Sequence, residues 1–348
     1  MVRSHLLAGQ ISKFPGLSGF DAQHFLTMDS YEIFGKKILS NILLPELRRS
    51  SKRSDISSDL IRLSVCESLA NLSQLQWSPF WTLLNGEAWM LISRTADCYY
   101  LKFPDLMICK VELDSFSIFC IRLNNTPDST LRHLILDQVI PLVLSKQGSL
   151  ILHMAVVKIG DIGVGFLGES GQGKSTLTAE FSQNGYEVIS DDSVLVELAS
   201  GTYCAVSNYP GIRLWDDSCE GVFQGSASGA TPMAHYTLKK RIKPASNVSN
   251  TVRVPLEVLF VLENELNDSP AEVAILDMNF QEKLRILLES KFRLETSNSV
   301  DLSLEFETLT NLANVVQCRK IHYQRNYSTI GSVRTAISDY VQARKQGQ

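Results

Sequence analysis

The chain predicts an α/β fold with a smaller α+β region in front of it, and three observations carry that expectation. The pattern Gly168-x-x-x-x-Gly173-Lys174-Ser175 lies between a short apolar run, Val164 to Leu167, and a helical run from Thr176 with Leu177 and Phe181 on one face. Beyond residue 149, short apolar strand candidates interleave with helical segments. Residues 77 to 123, in contrast, break into short β-like runs. The chain has 348 residues, 44% hydrophobic and 20% charged, which is ordinary globular composition and enough for about two domains. The expected division is 1–127 and 128–348.

In the first region, residues 1 to about 30 lack clear periodicity. Residues 31 to 75 are expected to be largely helical from the spacing of Leu39, Ile42, Leu43 and Leu47, with Pro45 kinking or restarting the helix. The charged, Ser-rich stretch RRSSKRSDISSD, residues 48–59, reads as a solvated loop. The β-like runs are WTLLN, AWMLISR, YYLKF, LMICKVEL and FSIFCIRL, with Asn85-Gly86 and Phe103-Pro104-Asp105 marking turns. No chemical motif stands out there. Residues 129–146 predict an amphipathic helix with Pro141 as an internal irregularity and His133 as a packed or surface residue.

In the second region, Ser149 to Val157 predicts one strand, Gly160 to Gly163 a tight turn, and Val164 to Leu167 a buried strand. A helix follows to about Gln183, where Asn184-Gly185 is a C-cap signal. Tyr186 to Ser190 predicts a short strand that delivers Asp191 and Asp192, and SVLVEL and TYCAVS predict two more. Residues 209–218 read as a turn and a short element. Residues 220–237, rich in Gly, Ser and Ala, read as a lid or loop. A basic cluster follows, Lys239, Lys240, Arg241 and Lys243, then a polar NVSN turn, the apolar strand VPLEVLFVLE, and helices near 281–292, 303–315 and 333–344.

The glycine pattern points to phosphate chemistry. Glycines let successive backbone N–H groups converge on phosphate oxygens, and the helix start adds unpaired donors and the positive end of its dipole. Lys174 then reaches the β- and γ-phosphates and Ser175 holds magnesium. The expected nucleotide-binding set is Gly168, Glu169, Ser170, Gly171, Gln172, Gly173, Lys174, Ser175 and Thr176, with ATP and Mg2+ as the cofactors. The plain alternative is a glycine turn between strand and helix. Asp191-Asp192 stands 17 residues after Lys174. If both strands end on one edge of a parallel sheet, the carboxylates face the loop. One can assist the metal, together with Ser175, and the other can take a proton from an attacking hydroxyl. A helix cap or solvated turn is the plainer account of such a pair.

A histidine on a preceding strand, then G-x-S-G-x-G-K-S, then an apolar strand ending in Asp-Asp resembles the catalytic domain of HPr kinase/phosphorylase, itself similar to phosphoenolpyruvate carboxykinase. Here the pattern is His153, Gly168 to Ser175, and Asp191 with Asp192, covering about 150–197. The resemblance implies a P-loop domain of that type. It makes Asp191 the base for the acceptor hydroxyl and puts Asp192 and His153 beside the transferred phosphoryl group. Two departures stand out: Thr176 occupies a position where the family has glutamate, and Tyr209 to Leu214 is only a loose counterpart of the family's second signature. The layout is similar to divergent members found in peptide-modification gene clusters. The expected function is therefore an ATP-dependent kinase acting on a hydroxyl, a serine of a peptide or small protein. The alternative is a nucleotide-binding regulatory or scaffold protein. The resemblance leaves room for a homo-oligomer.

Charge and composition narrow the partners. A net charge of −4 offers no broad basic surface for nucleic acid. No apolar run reaches membrane-spanning length, and the first residues lack a secretory apolar core, so a cytoplasmic protein is expected. Seven scattered cysteines without a CxxC pair point to reduced thiols.

Overall fold

In the computed structural model, which describes residues 28–50, 60–209, 211–223, 230–243, 253–263, 272–295 and 298–346, the described residues between 31 and 75 form strands and one short 3-10 turn in place of the expected helix. Strands β1 (Asp29–Ile33) and β2 (Lys36–Ser40) form an antiparallel hairpin, β3 (Arg48–Arg49) adds to β1, and β4 (Ile61–Cys66) pairs parallel with β2. The helical expectation fails because the buried set has period two: Tyr31, Ile33, Ile38 and Ser40 point inward. The helix-spaced residues do not share a face, since Leu47 is buried and Leu43 is 62% exposed. The turn is decisive. Phe34 and Gly35 both take positive φ, 52° and 69°, as the favoured two-residue hairpin requires. The remaining strands are β5 (Ser78–Thr82), β6 (Ala88–Arg94), β7 (Cys98–Phe103), β8 (Met107–Glu112) and β9 (Ser117–Arg122). Together they give a nine-stranded sheet of order β3-β1-β2-β4-β9-β8-β7-β6-β5. Apart from one 3-10 turn at Leu72–Gln74, the regular elements among the described residues of this unit are strands, where an α+β region was expected.

The chain divides into two compact units, Met1–Thr126 and Pro127–Gln348. The second unit opens with α1 (Asp128–Leu134), a π turn at Ile135–Val139, and α2 (Ile140–Lys146). The π turn absorbs the hydrogen bond and the clearance that Pro141 denies a regular helix. The segment is not amphipathic: Leu131, Leu134, Ile135, Leu136, Val139 and Leu142 are buried around most of its circumference.

The expected single strand at 149–157 is two, β10 (Leu150–Leu152) and β11 (Ala155–Ile159), separated at His153 and Met154. They serve different neighbours, β10 pairing with β14 (Val194–Ala199) and β11 with β12 (Ile162–Leu167) and β13 (Glu187–Ser190). Helix α3 (Lys174–Gln183) connects β12 to β13 and ends at Asn184-Gly185 as the sequence predicts. Further on come β15 (Thr202–Val206), β16 (Ile212–Leu214), α4 (Asp216–Phe223), β17 (Thr231–Pro232), β18 (Lys240–Ile242) and β19 (Arg253–Leu262). The chain closes with β20 (Ala274–Asp277), α5 (Phe280–Ser290), α6 (Ser299–Val315), β21 (Gln317–His322) and α7 (Ile330–Gln346). The main sheet runs β10-β14-β15-β19-β12-β11-β13, with β21 also on β19 and β20 on β21. It is mixed rather than parallel. β12, β19 and β21 are mutually parallel, and β11 lies antiparallel between β12 and β13.

Strand alternation sorts the core into two layers. Leu167, Leu259 and Val261 pack with Leu287, Leu309 and Leu312 from α5 and α6. Phe166, Val258 and Phe260 pack with Leu177, Phe181, Ile337 and Val341 from α3 and α7. Helices cover both faces, which is why β12 is buried along its whole length. A small sheet, β16-β18-β17, stands apart. All seven cysteines are free. The N-terminal 27 residues, most of the Ser-rich loop (51–59), part of the Gly/Ser-rich segment (224–229) and the NVSN turn lie outside the described residues.

Candidate functional site

Because β11 is antiparallel to both β12 and β13, those two strands run the same way and end on the same edge. The pairings Ala155↔Phe166 and Val156↔Ser190 bring the start of β11 to the ends of both. The loop after β12, the aspartates after β13 and His153 before β11 therefore meet, although the sheet is not parallel. His153 sits at the break between two strands, where its N–H donates to the Ser290 carbonyl at 2.6 Å, and not within one strand as expected.

The loop is shaped by its glycines. Gly168 and Gly173 lie at φ 143° and 93°. A Cβ on Gly168 would collide with the Gln172 side chain and stand 2.8 Å from the Leu262 carbonyl. Gln172 Oε1 accepts the Glu169 N–H at 2.9 Å, which fixes the turn from inside. Lys174 is 6% exposed, and its ammonium donates to the carbonyls of Gly168 and Glu169 at 2.6 and 3.0 Å. Burial lowers its pKa to about 8, with Asp192 and Asp191 opposing. A buried cation held by neutral carbonyls above a tight glycine turn suits the oxygens of a polyphosphate.

Asp191 is 2% exposed. Its Oδ2 accepts the Arg213 backbone N–H at 2.7 Å, while Oδ1 is buried without a hydrogen-bond partner. Burial raises its pKa to about 7, against the Arg213 charge and N–H, with the Asp192 charge adding to the rise and the nearby Ser175 hydroxyl resisting it. Asp192 is more open and pairs with His153 Nδ1 at 3.5 Å. Burial lowers His153 to about 4, Asp192 partly countering. Ser175 thus stands with Asp191, and Asp192 with His153.

One cavity of about 580 Å³ is lined by His153, Ser170, Gly171, Gly173, Lys174, Ser175, Thr176, Asp191 and Asp192. Gly168, Glu169 and Gln172 do not line it; they hold the loop and Lys174 in place. Thr176 donates to Ser218 Oγ at 3.2 Å. Among the described residues, no group of three or more His, Cys, Asp or Glu is placed to hold a metal by itself. Magnesium needs no such cage when phosphate oxygens complete its shell; Ser175 and Asp192, both on the wall of this cavity, would be the protein's share of it.

Other residues close the site, and the sequence marks them only loosely, through the Tyr209 to Leu214 counterpart and the basic cluster. Arg213, 5% exposed, donates to Asp137 Oδ1 at 2.6 Å and to the Tyr209 hydroxyl at 2.7 Å. Asp137 also accepts from the Tyr209 hydroxyl and meets His133 Nδ1 at 2.5 Å. Burial disfavours the Asp137 charge, but Arg213 and then His133 outweigh it and hold its carboxyl well below the usual range. The basic cluster divides. Lys239 lines the cavity 5.2 Å from the Trp215 ring centre, Lys240 pairs with the exposed Asp216 at 2.8 Å, and Arg241 turns inward to the Tyr209 hydroxyl at 3.2 Å. Asp217, Ser218, Tyr323, Arg325, Asn326 and Tyr327 complete much of the wall.

No family model and no curated protein matches the chain. Among solved structures, the Hpr(Ser) kinase/phosphatase from Coxiella burnetii is similar at 10% identity over 56% of this chain and 98% of that chain, with a TM-score of 0.29. That is a distant structural relationship. Among the described residues, no helix is long and apolar enough to cross a membrane.

Proposed function

We propose that the Pro127–Gln348 unit is an ATP-dependent kinase that phosphorylates a hydroxyl, a serine of a peptide or small protein. The observation that carries this is the cavity in which Lys174 and Ser175 meet Asp191, Asp192 and His153. Backbone N–H groups of the loop and the start of α3 bind the phosphates, and Lys174 neutralises the β and γ oxygens. Ser175 and Asp192 would hold magnesium, which supplies further neutralisation of the phosphate charge. The acceptor oxygen bonds to the γ-phosphorus, the bond from that phosphorus to the β–γ bridging oxygen breaks, and the nucleoside diphosphate leaves. The acceptor's proton goes to Asp191 Oδ1, the buried oxygen without a partner. A pKa near 7 suits a base working near neutrality. Homo-oligomer assembly and a cytoplasmic setting belong to the same proposal.

The test uses purified protein, γ-labelled ATP, magnesium and serine peptides. Transfer by the wild type, lost in Asp191→Asn while ATP affinity stays within a few-fold, is the expected result. ATP binding without transfer to any hydroxyl favours a nucleotide-binding regulatory or scaffold protein instead. No ATP binding removes both.

A further inference from the structure

The strand order gives the site a direction. Along its edge lie the end of β13, the start of β11, the loop after β12, the end of β19 and the end of β21. Asp191, Asp192 and His153 all stand on the β11–β13 side of the loop. On the other side, β21 ends at His322 and runs into Tyr323–Tyr327, ahead of α7. A triphosphate with its γ end at Asp191 must send its other end toward that segment.

The segment is built onto the loop. The Arg325 guanidinium donates to the Gly171 carbonyl. The Tyr323 hydroxyl lies 3.4 Å from where a Cβ on Gly173 would stand. Tyr327 is fixed at its tip: the hydroxyl meets Asp217 Oδ2 at 3.0 Å and Ser218 Oγ at 3.2 Å, and Ser218 accepts from Thr176 in the first turn of α3. Its ring lies so close to Gly221 that a Cβ there would fall inside contact with it. With the polar tip engaged, what Tyr327 offers the cavity is ring. The residue is 39% exposed and lines the cavity beside Asn326 and Trp215.

We infer that the Tyr323–Tyr327 segment is the nucleoside side of this site, with the Tyr327 ring as the surface on which the base stacks and Arg325 as the tie that holds the segment on the loop. The inference rests on the phosphate-binding reading of Gly168 to Ser175 and deepens it. An aromatic face fixed at its edges loses little freedom when a base settles on it, and any base presents a π face.

Calorimetric titration with Mg-ATP and, separately, with magnesium tripolyphosphate separates the two ideas, because tripolyphosphate has no nucleoside. Tyr327→Ala is expected to weaken ATP about tenfold or more and to leave tripolyphosphate within about twofold. Tyr327→Phe, which keeps the ring, should retain most of the ATP affinity. Gly221→Ala, a helix-favouring change that displaces the ring, should reproduce the selective loss without removing any side chain. Equal weakening of both ligands, or no change in either, overturns the stacking role while leaving the phosphate loop intact. If the wild type binds neither ligand, the phosphate loop itself is refuted, and this inference with it.

Discussion

Replacing Asp191 by Asn tests whether burial of this carboxylate is a standing cost to the fold. In the native state it keeps its proton up to about pH 7. In the unfolded chain it loses it near the usual aspartate value of about 3.9. Between those values the native state binds more protons, so linkage makes wild-type stability fall as pH rises through this window. Integrating a shift from about 3.9 to about 7 between pH 5 and pH 8 gives a loss of about 2–3 kcal/mol from this one group. The asparagine side chain has no such proton, so the stability of Asp191→Asn relative to wild type should climb by that amount over the same range. The new amide leaves one buried donor without a partner where Oδ1 had none, a cost of about 1–3 kcal/mol that sets the offset and not the slope. His153 acts with the opposite sign. Burial depresses it to about 4, so its contribution rises with pH up to the unfolded histidine value, and being present in both proteins it largely cancels in the difference. Urea unfolding of both proteins at pH 5, 6, 7 and 8 in EDTA gives the variant-minus-wild-type difference, which also removes the Met1–Thr126 unit from the comparison. A difference that stays flat with pH would mean that Asp191 ionises like an exposed carboxylate, and the argument for it as a neutral-pH base would lose its physical basis. If the slope is there, phosphoryl transfer should rise with pH through about 7, because the base must be ionised to act.

Two further outcomes follow from the packing around the site. Asp137→Asn leaves the buried Arg213 guanidinium without its carboxylate and should destabilise the protein by about 3 kcal/mol or more, read as a lower urea midpoint; a shift under about 1 kcal/mol would mean that Tyr209 alone satisfies Arg213. In Gly165→Ala, the new Cβ would stand 2.5 Å from Leu259 Cδ2 across the β12–β19 pair, so a loss of about 1–3 kcal/mol is expected from thermal unfolding, and an unchanged melting temperature would mean that this pair has more room than the packing indicates.

The parts of the second unit that were legible in the sequence are those whose signals are local. Val164 to Leu167, the glycine loop, α3 and Asn184-Gly185 follow one another within some twenty residues, and each step is specified by its own chemistry: apolar strand, positive-φ glycines, helix start, C-cap. The stretch 31–75 misled for the converse reason. Its apolar residues fit a 3.6 period by spacing, but the two-residue turn at Phe34-Gly35 forces a hairpin, and only the pairing that follows shows which residues face inward. Ser149 to Val157 misled similarly. Nothing in its apolar run marks His153 and Met154 as the point where the chain leaves one neighbour for another, because the cause lies at Ser290 and Lys291, more than 130 residues away.

The same distance argument explains what the sequence hid at the site. Asp137 reads as a polar interruption in an apolar helix, and Tyr209 and Arg213 read as parts of a turn and a short element that only loosely matches the family's second signature. They become a unit only because the fold buries them together. Once buried, none of the three can stand alone: the guanidinium requires the carboxylate, and the carboxylate requires the guanidinium, the phenol and the His133 ring. The backbone N–H of that same Arg213 is the donor that holds Asp191. The orientation of the proposed base is therefore set from a helix some fifty residues upstream of it, through contacts that no spacing along the chain could announce. A local motif can supply a phosphate cradle, but the placement of a buried carboxylate beside it depends on the closed network around Arg213.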